Sequence, residues 1–532
     1  MGLDGFRKCL LTLVLLAGVA GCSLFKKSPP PPPAPPPAER PAPPPPPPPV
    51  PEPDPAPSDL AFQPVEEGTR VEVWITSGDQ SRLLAPGPAA VFAAADSVEA
   101  PYAADRLGET SFTPDPSGIP IIDIDPTQQF QSMLGFGVTL SDTSAWLLTN
   151  KLNPEQRDML LQELYGPASS LKLGLVRISI GASDFSREHY SLDDAQNDPA
   201  LSAFSIERQR ASLLPVLKSL RELEPDLRIL AVPWSAPAWM KSEDSLYKGS
   251  LRADAWPAYA RYFKRYLDVY HDEGLDIYAL SVQNEPQRKE ADYPAMSFEP
   301  AERAKFIATQ LGPLLTEDYP DVRILDGEQS WVDTAGLQQV LSNPAAAPYV
   351  RGVGWHCYAG EVGVQSEVRD SARPPRDVYL TDCSGGQWAP GWSDGLLHFS
   401  RTAVIGSIRN WAGGIMLGNL VLDESGGPHL GGCRNCRGLV TVNEETGEVS
   451  RNVEYFALAH ASRFVQSGAR RIASGSRSAA LDHAALLNPD GSLVLIVVNS
   501  AQQEQEFIVR MAGLGFRYRL PAASVATMLW PE

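Results

Sequence analysis

The sequence has too few basic residues to balance its acidic ones. Lys and Arg number 45 against 64 Asp and Glu, which gives a formal net charge of −19 at pH 7. A negative charge of this size disfavours nucleic acid or an anionic surface as a partner. No run of Lys and Arg in the foldable part predicts a basic patch, so we expect no nucleic-acid partner.

Histidine and phosphate-binding loops are also scarce. Only 7 His occur in 532 residues, and none stands at metal-site spacing from a second His. No glycine-rich loop of the kind that holds a nucleotide phosphate is present. The sequence therefore offers no ligands for a metal centre, and we expect neither a metal nor another cofactor.

Cysteine is sparse, with 6 residues in the chain. Cys433 and Cys436 form a single CxxC without a second pair or a His partner, which is weak support for metal. A local disulfide or a pair of free thiols is the expected state. Cys357 and Cys383 stand alone in the sequence, and their disulfide state stays open.

The chain has no long hydrophobic run at its N-terminus, but it has a short one. The apolar stretch Leu10–Val19 follows Arg7 and Lys8 and is too short to span a bilayer as a helix. It ends in Val-Ala-Gly-Cys at residues 19–22, which resembles a bacterial lipobox. We therefore predict a lipoprotein signal peptide at 1–21 and a lipidated Cys22; a plain signal peptide or a short buried helix is the alternative.

We predict that residues 22–58 contain the lipidated Cys22 followed by a proline-rich linker. Twenty of the 29 residues from Pro29 to Pro57 are Pro, which favours extended polyproline II structure. Such a linker would hold the folded body away from a membrane. Because Ser23 rather than Asp follows Cys22, we expect a cell-envelope protein anchored in the outer membrane, if the cell has one.

The central region alternates short apolar runs with amphipathic stretches of helical length. Eight strands with helices between them predict a (β/α)₈ TIM barrel over about residues 130–440. The predicted helices are Pro154–Tyr165, Ile206–Leu223, Ala255–His271, Pro300–Leu315 and Leu397–Trp411. The predicted strands are Gly135–Leu140, Leu175–Ile180, Ile229–Trp234, Ala279–Asn284, Val322–Asp326, Gly352–His356, Val378–Thr381 and Gly414–Leu420.

The regions on either side of the predicted barrel have strand periodicity. Thr69–Thr76 alternates as a half-buried strand does, and Leu493–Asn499, Gln505–Val509 and Ser524–Leu529 predict further strands. We expect residues 59–129 and 441–532 to build one accessory β-sandwich from both chain ends. The predicted fold class is therefore α/β, with the barrel inserted between two parts of a β domain.

Polar residues close the predicted barrel strands, and the carboxyl ends of such strands share one face. Asn284-Glu285 ends the fourth strand, His356-Cys357-Tyr358 the sixth, and Thr381-Asp382 the seventh. Two carboxylates surrounded by aromatic and amide side chains suit a sugar site, because one can protonate a leaving oxygen while the other attacks or activates water. His356 as a lone residue is more often structural, but beside the seventh strand it could orient a carboxylate.

The order of these motifs resembles glycoside hydrolase family 30, the glucosylceramidase-like enzymes. The most specific matches are the Trp-Ser-x-Pro-x-Trp-Met-Lys run at 234–241 and the Asp-Glu-x-Gly-Gly-Pro run at 423–428. Further matches are Leu134–Gly137, Val176–Gly181, Ser183–Ser186, Ser281–Pro286 and Trp355–Tyr358. The resemblance implies a retaining β-glycosidase with a barrel and a β-sandwich formed from both chain ends.

The resemblance also implies residue roles. Glu285 would be the general acid/base, and Asn284 would bond the sugar 2-hydroxyl. Asp382 stands at the nucleophile position. The remaining predicted sugar-site residues are Arg177, Asp184, Trp234, Trp239, His356 and Tyr358.

One departure from the family pattern concerns the nucleophile. The family has Glu where this chain has Asp382, so the carboxylate is one methylene shorter. Displacement of a catalytic group by about 1 Å can cost on the order of 100-fold in rate. Asp382 could still be the nucleophile after a backbone adjustment, could activate water in an inverting mechanism, or could belong to a weakened site that only binds sugar.

The predicted function is hydrolysis of β-glycosidic bonds by an enzyme anchored to a membrane through Cys22. Glucosylceramide is the best-known substrate of the family, which would place the protein in sphingolipid metabolism. The family also includes β-1,6-glucanases and xylan-active members. The alternative is a lipid-anchored carbohydrate-binding or scaffold protein with a degenerate barrel.

Overall fold

The computed structural model describes residues 58–98, 118–167, 171–476 and 478–531. The predicted signal peptide, Cys22 and nearly all of the linker lie outside the described residues. Among the residues described, no helix is both long enough and apolar enough to cross a membrane.

Eight parallel strands close into a barrel, which confirms the predicted fold class. Each strand lies at a predicted apolar run, with ends that differ by a few residues. We number them barrel strands one to eight: Gly135–Thr139, Leu175–Ser179, Arg228–Val232, Ile277–Ser281, Arg323–Trp331, Val350–Gly360, Asp377–Asp382 and Ala412–Asn419. These strands read as continuous apolar runs because each is covered by the helices outside and by side chains inside the barrel.

Helices surround the barrel because their apolar faces need a partner. Trp256–Asp272 buries Tyr259, Tyr262, Phe263 and Tyr266, the residues that repeat at helical spacing. The other α-helices are Asp142–Asn150, Pro154–Tyr165, Glu207–Arg210, Leu213–Leu223, Pro300–Phe306, Gly312–Asp318, Ala335–Ser342, Val364–Ser371, Trp392–His398, Ser407–Arg409 and Val453–Ser462. Two predicted helices contain π-helical stretches, at Ile307–Leu311 and Phe399–Gly406.

The accessory domain combines strands from both ends of the chain. Arg70–Ser77 pairs antiparallel with Ser524–Trp530, with Glu72 opposite Leu529. The predicted pairing of the two chain ends is therefore confirmed, while the residue numbers chosen as domain boundaries stay predictions. The other strands of this sheet are Ala85–Pro86, Ala90–Val91, Ala93–Ala94, Ile121–Ser132, Arg470–Gly475, Leu481–Leu487, Leu493–Asn499, Gln505–Met511 and Leu514–Leu520.

Short strands organise the loops above the barrel. Gly385–Gly386 pairs with Cys436–Arg437, and Val421–Leu422, Val440–Val442 and Val449–Arg451 form a small sheet. They hold the loops that follow barrel strands seven and eight against each other.

His460 connects the barrel region to the sandwich. Its Nδ1 and Nε2 each lie 2.9 Å from a threonine hydroxyl, of Thr527 and Thr76 respectively. The Thr527 hydroxyl donates to the His460 carbonyl oxygen, so it accepts from Nδ1–H, and the Thr76 hydroxyl donates to Nε2. The neutral ring is fully bonded, and burial lowers the pKa of His460 from 6.5 to about 3.

We predict that this buried ring makes the fold sensitive to acid. Because the folded-state pKa lies below the unfolded value, the unfolded chain takes up a proton first. The contribution of neutral His460 to the free energy of unfolding is complete above pH 6.5. Below that pH it is lost at about 1.4 kcal/mol per pH unit. Denaturant titrations at pH 7 and pH 5 should show a smaller pH-dependent loss of stability for His460→Gln than for the wild type. Equal losses in the two proteins would contradict this role.

Candidate active site

A cleft of about 390 Å³ opens at the carboxyl ends of the barrel strands. Seven of the nine predicted catalytic and sugar-site residues line it: Asp184, Trp234, Asn284, Glu285, His356, Tyr358 and Asp382. The other two are Arg177 and Trp239, which lie deeper. The parallel barrel gathers these groups because every strand delivers its last residues to the same end.

Arg177 lies beneath the cleft, where it connects three of the strand ends. Its Nη1 donates to Asp382 Oδ2 at 3.0 Å, and its Nη2 donates at 2.7 Å to both Asn284 Oδ1 and Glu328 Oε2. The guanidinium carbon also lies 4.9 Å from the centre of a Trp234 ring. The side chain is only 1% exposed. Burial alone would lower the pKa of Arg177, but the carboxylates of Glu328 and Asp382 raise it above its ordinary value.

Asp382 has a hydrogen-bond donor at each carboxylate oxygen. Oδ2 accepts from Arg177, and Oδ1 accepts from the Tyr358 hydroxyl at 2.6 Å. The backbone N–H of Ser384 donates to that hydroxyl at 3.1 Å, which fixes the position of Tyr358. The carboxylate is therefore oriented from two sides, while its side chain stays 16% exposed to the cleft.

Glu285 and Asn284 are positioned by the loop that follows barrel strand four. The backbone N–H of Asn284 donates to the carbonyl of Pro233, and that of Glu285 donates to the carbonyl of Glu328, both at 2.9 Å. Glu285 has φ of 42°, a left-handed conformation that side chains seldom adopt. Because Oδ1 of Asn284 accepts from Arg177, its Nδ2 remains available to donate into the cleft.

Glu328 is a third carboxylate that the predicted set of site residues does not include. It lies on barrel strand five and is 1% exposed. Ser281, Thr381 and His356 contact its carboxylate at 2.6, 3.1 and 3.1 Å. Burial would raise the pKa of Glu328, but Arg177 and then His356 hold it well below the ordinary value. The sequence signal was Arg177 itself, because a cation inside a buried strand needs a buried counter-charge.

Asp184 faces both catalytic candidates from the loop after barrel strand two. Burial, followed by repulsion from Asp382 and Glu285, raises the pKa of Asp184 from 3.8 to about 7. Near neutral pH this carboxyl therefore exchanges readily between the neutral and charged forms. In either form it can bond a sugar hydroxyl, as a donor when protonated or as an acceptor when ionised.

Two of the predicted sugar-site residues are buried, His356 at the floor of the cleft and Trp239 in the core. His356 is 1% exposed, lines the floor and contacts Glu328 through Nε2, so it orients a carboxylate. Trp239 is 7% exposed and belongs to the hydrophobic core, within the 3₁₀ turn Ala238–Met240. It does not line the cleft, because this turn directs its ring into the core; of the two tryptophans only Trp234 lines the cleft.

Two disulfides stabilise the loops of the cleft. Cys357–Cys383 joins the ends of barrel strands six and seven, next to Tyr358 and Asp382 in the sequence. Cys433–Cys436 closes a turn whose two cysteines line the cleft. Of the two states expected for the CxxC, the structure has the local disulfide.

One group of potential metal ligands occurs among the described residues. Cys357, Cys383 and His398 offer ligand atoms within 4.8 Å of one another. Both sulfurs are joined in the disulfide, so neither is a thiolate that could bind a metal. The group does not match a metal site.

The chain matches two family models, described as the glycosyl hydrolase family 30 TIM-barrel domain, over residues 133–465, and the glycosyl hydrolase family 30 beta sandwich domain, over residues 468–528. An endo-1,6-beta-D-glucanase of Aspergillus fumigatus is 32% identical over 431 residues, covering 76% of this chain and 86% of the relative. The lysosomal acid glucosylceramidase of Mus musculus is 28% identical over 436 residues, covering 77% and 83%.

A solved structure of an endo-beta1,6-glucanase has a similar fold. It superposes with a TM-score of 0.76 at 26% identity, covering 87% of this chain and all of that one. The similarity extends over the barrel and the sandwich together.

We predict that Arg177 stabilises the fold by neutralising Glu328. Replacing Arg177 with Met leaves a buried, uncompensated carboxylate and should lower the free energy of unfolding by about 3–5 kcal/mol. Adding Glu328→Gln to that variant should restore part of the loss, because the charge is removed. Denaturant titration measures both effects.

The matched control is Arg401→Met, which breaks the ion pair between Arg401 and Asp482. The two side chains of this pair are 42% and 35% exposed, respectively. An exposed pair of this kind contributes about 0–1 kcal/mol. If Glu328→Gln destabilises the Arg177→Met variant further, the compensation argument is wrong.

Proposed function

The chain belongs to glycoside hydrolase family 30, and from this premise we propose that it hydrolyses β-1,6-linked glucan with retention of configuration. The observation that carries the proposal is that Glu285 and Asp382 line one cleft and that Arg177 bonds both Asp382 and the neighbour of Glu285. One arginine thus fixes the two halves of a two-carboxylate site relative to each other.

In the first step, Asp382 attacks the anomeric carbon while Glu285 protonates the departing glycosidic oxygen. Arg177 and Tyr358 hold the attacking carboxylate by its two oxygens, so little reorientation precedes the attack. In the second step, Glu285 removes a proton from water, which displaces Asp382 from the glycosyl-enzyme and restores the β configuration.

Sugar binding rests on the remaining cleft residues. Asn284 Nδ2 is available to the 2-hydroxyl because Arg177 occupies the amide oxygen. Asp184 has no side-chain partner that competes with a sugar hydroxyl among the described residues, and the largely buried Trp234 also lines the cleft. Trp388 lines the rim and is 53% exposed, which suits packing against a further pyranose ring.

The shorter Asp382 side chain is compatible with catalysis in this arrangement. Its carboxylate lines the cleft and has donors on both oxygens, which supports the nucleophile role over that of a residue in a site that only binds sugar. The inverting alternative would require Asp382 to bond a water rather than approach the sugar. The configuration of the product distinguishes these two mechanisms.

The rim of the cleft favours a sugar over a lipid as the leaving group. Arg288, Glu290 and Asp292 line it, and the first two form an ion pair at 3.2 Å. A lipid leaving group would place its acyl chains beside these charged side chains and displace their water without offering hydrogen bonds in return. The hydroxyls of a sugar leaving group can form such hydrogen bonds. The β-1,6-glucanase relative is also more similar in sequence than the glucosylceramidase relative, at 32% against 28% identity.

We also propose that the enzyme acts at the cell envelope, attached through lipidated Cys22. The support is the apolar run and the lipobox-like Val-Ala-Gly-Cys at 19–22, followed by the proline-rich linker. A stable anchor requires more than one acyl chain, which lipoprotein processing provides.

We predict that the wild type hydrolyses β-1,6-gluco-oligosaccharides with a kcat/KM at least tenfold above that for glucosylceramide in detergent micelles. Proton NMR during the first minutes should show the β anomer of the new reducing end before mutarotation.

Glu285→Gln should lower kcat by about 10²–10⁴, the usual contribution of general acid/base catalysis, while oligosaccharide binding persists.

Glu163→Gln is the matched control, since Glu163 pairs with Arg451 outside the cleft and its loss should leave the rate unchanged. If the α anomer appeared first, the enzyme would act with inversion, and the proposed retaining mechanism would be wrong. If neither the wild type nor Asp382→Glu hydrolyses any β-glycoside while both still bind oligosaccharide, the carbohydrate-binding alternative is correct.

For the anchor, we predict that Cys22→Ser moves the expressed protein from the membrane fraction to the soluble fraction, because the lipobox-like run then lacks the thiol that would be acylated. Cys9→Ser serves as the control, since it removes a cysteine of the predicted signal peptide that lies outside this run. The anchor proposal fails if the Cys22→Ser protein still sediments with membranes.

A further inference from the structure

The turn at residues 430–437, which follows barrel strand eight, contacts the loops after barrel strands two, four and seven. The backbone N–H of Leu430 donates at 3.0 Å to the carbonyl oxygen of Ser186, in the loop after strand two. The backbone N–H of Gln387, in the loop after strand seven, donates at 2.8 Å to the carbonyl oxygen of Asn435. We call residues 430–437 the cleft turn.

Two glycines bring the backbone of the cleft turn directly against two other loops. Gly431 and Gly432 have φ of 81° and 69°, in the left-handed region that favours glycine. A methyl group on Gly432 would lie 2.6 Å from the Cβ of Asp184 and 2.8 Å from its carbonyl oxygen. One on Gly431 would overlap the carbonyl oxygen of Asp292, in the loop after strand four. The turn therefore contacts both loops so closely that neither glycine can carry a side chain.

Asp184 is held by packing rather than by side-chain hydrogen bonds. Its carboxylate has no side-chain hydrogen-bond partner in the part of the chain that the structure describes. Its neighbour Phe185 is 6% exposed and forms a small apolar cluster with Cys436, against which Cys433 packs. The disulfide thus supports the neighbour of Asp184, while Gly432, next to Cys433, contacts Asp184 itself.

The disulfide joins the two ends of the cleft turn, of which one is firmly anchored. Arg437 donates from Nε and Nη2 to the carboxylate of Glu454 at 2.7–3.1 Å, and the Glu454 side chain is 2% exposed. Without the disulfide, Gly432 would be connected to this anchor only along the chain, through two exposed residues of the turn. Closure by Cys433–Cys436 therefore extends the anchor at Arg437 to the glycine that contacts Asp184.

The cleft turn also supports Trp388, which lines the cleft. Cys436 pairs antiparallel with Gly386. A methyl group on Gly386 would overlap the ring of Trp388, so this ring lies directly over the Gly386 backbone. Since Trp388 is 53% exposed, its position depends on the strand pair to which Cys436 belongs.

We propose that the Cys433–Cys436 disulfide is a positioning element for sugar binding, which holds Asp184 and Trp388 where a glucan chain contacts them. This inference rests on the proposed function. Glu285 and Asp382 have separate supports, in the hydrogen bonds beneath the cleft. The disulfide therefore acts on the binding of the glucan and leaves the rate of the chemical step nearly unchanged.

The test is the double variant Cys433→Ala/Cys436→Ala, assayed on β-1,6-gluco-oligosaccharides. Loss of the disulfide should raise KM about tenfold or more and change kcat less than about threefold, because binding rather than chemistry is weakened. Cys357→Ala/Cys383→Ala is the matched comparison, since it removes the disulfide beside the predicted nucleophile and should lower kcat instead. Circular dichroism reports whether each variant folds.

Gly432→Ala tests the contact with Asp184 while the disulfide stays intact. The added methyl group meets Asp184, so KM should again rise about tenfold. In an Asp184→Ala background the further rise should be less than about twofold, because no carboxylate remains to be displaced. Gly274→Ala is the matched control: Gly274 has φ of 77°, has no heavy atom within 4 Å of an added methyl and lies outside the cleft, so KM should not change.

A folded Cys433→Ala/Cys436→Ala variant with the KM of the wild type would overturn the inference, and so would a lower kcat at unchanged KM. If this variant does not fold, Gly432→Ala decides: an equal rise in KM with and without the Asp184 carboxylate would overturn the inference. A wild type that hydrolyses no β-glycoside would contradict the proposed function instead. Isothermal titration calorimetry with the oligosaccharide would then compare binding by the wild type and the double variant, and equal or absent binding would overturn this inference too.

Discussion

A buried guanidinium sets the constraint on which the active site depends. Arg177 lies inside the barrel, where water cannot neutralise it, so the fold must bring anionic and polar oxygens to it. Glu328, Asp382 and Asn284 meet this need from barrel strands five and seven and from the loop after strand four. The same contacts that make the charge tolerable also fix the distance between the strand ends, so stability and catalytic geometry share one set of hydrogen bonds.

Glu328 and the disulfide extend this constraint outward. Glu328 fixes Arg177 through its carboxylate and Glu285 through its backbone carbonyl, so a residue that does not line the cleft connects the two carboxylates predicted to be catalytic. Cys357–Cys383 covalently joins the two strands that carry Tyr358 and Asp382. In the proposed nucleophile role, the short Asp382 side chain would tolerate little displacement, and these connections limit the displacement available to it.

The sequence by itself determined the barrel, the sandwich from both chain ends and seven of the residues that line the cleft. Each of these follows from local patterns: apolar runs of strand length, helical spacing, and polar residues at strand ends. Tertiary structure decided which partners those residues find. Glu328 as the counter-charge of Arg177, the pairing of Cys357 with Cys383 and the burial of Trp239 in the core all depend on neighbours distant in sequence. Such contacts are set by strand order and register, and those arise from packing of the whole chain rather than from any local stretch of it.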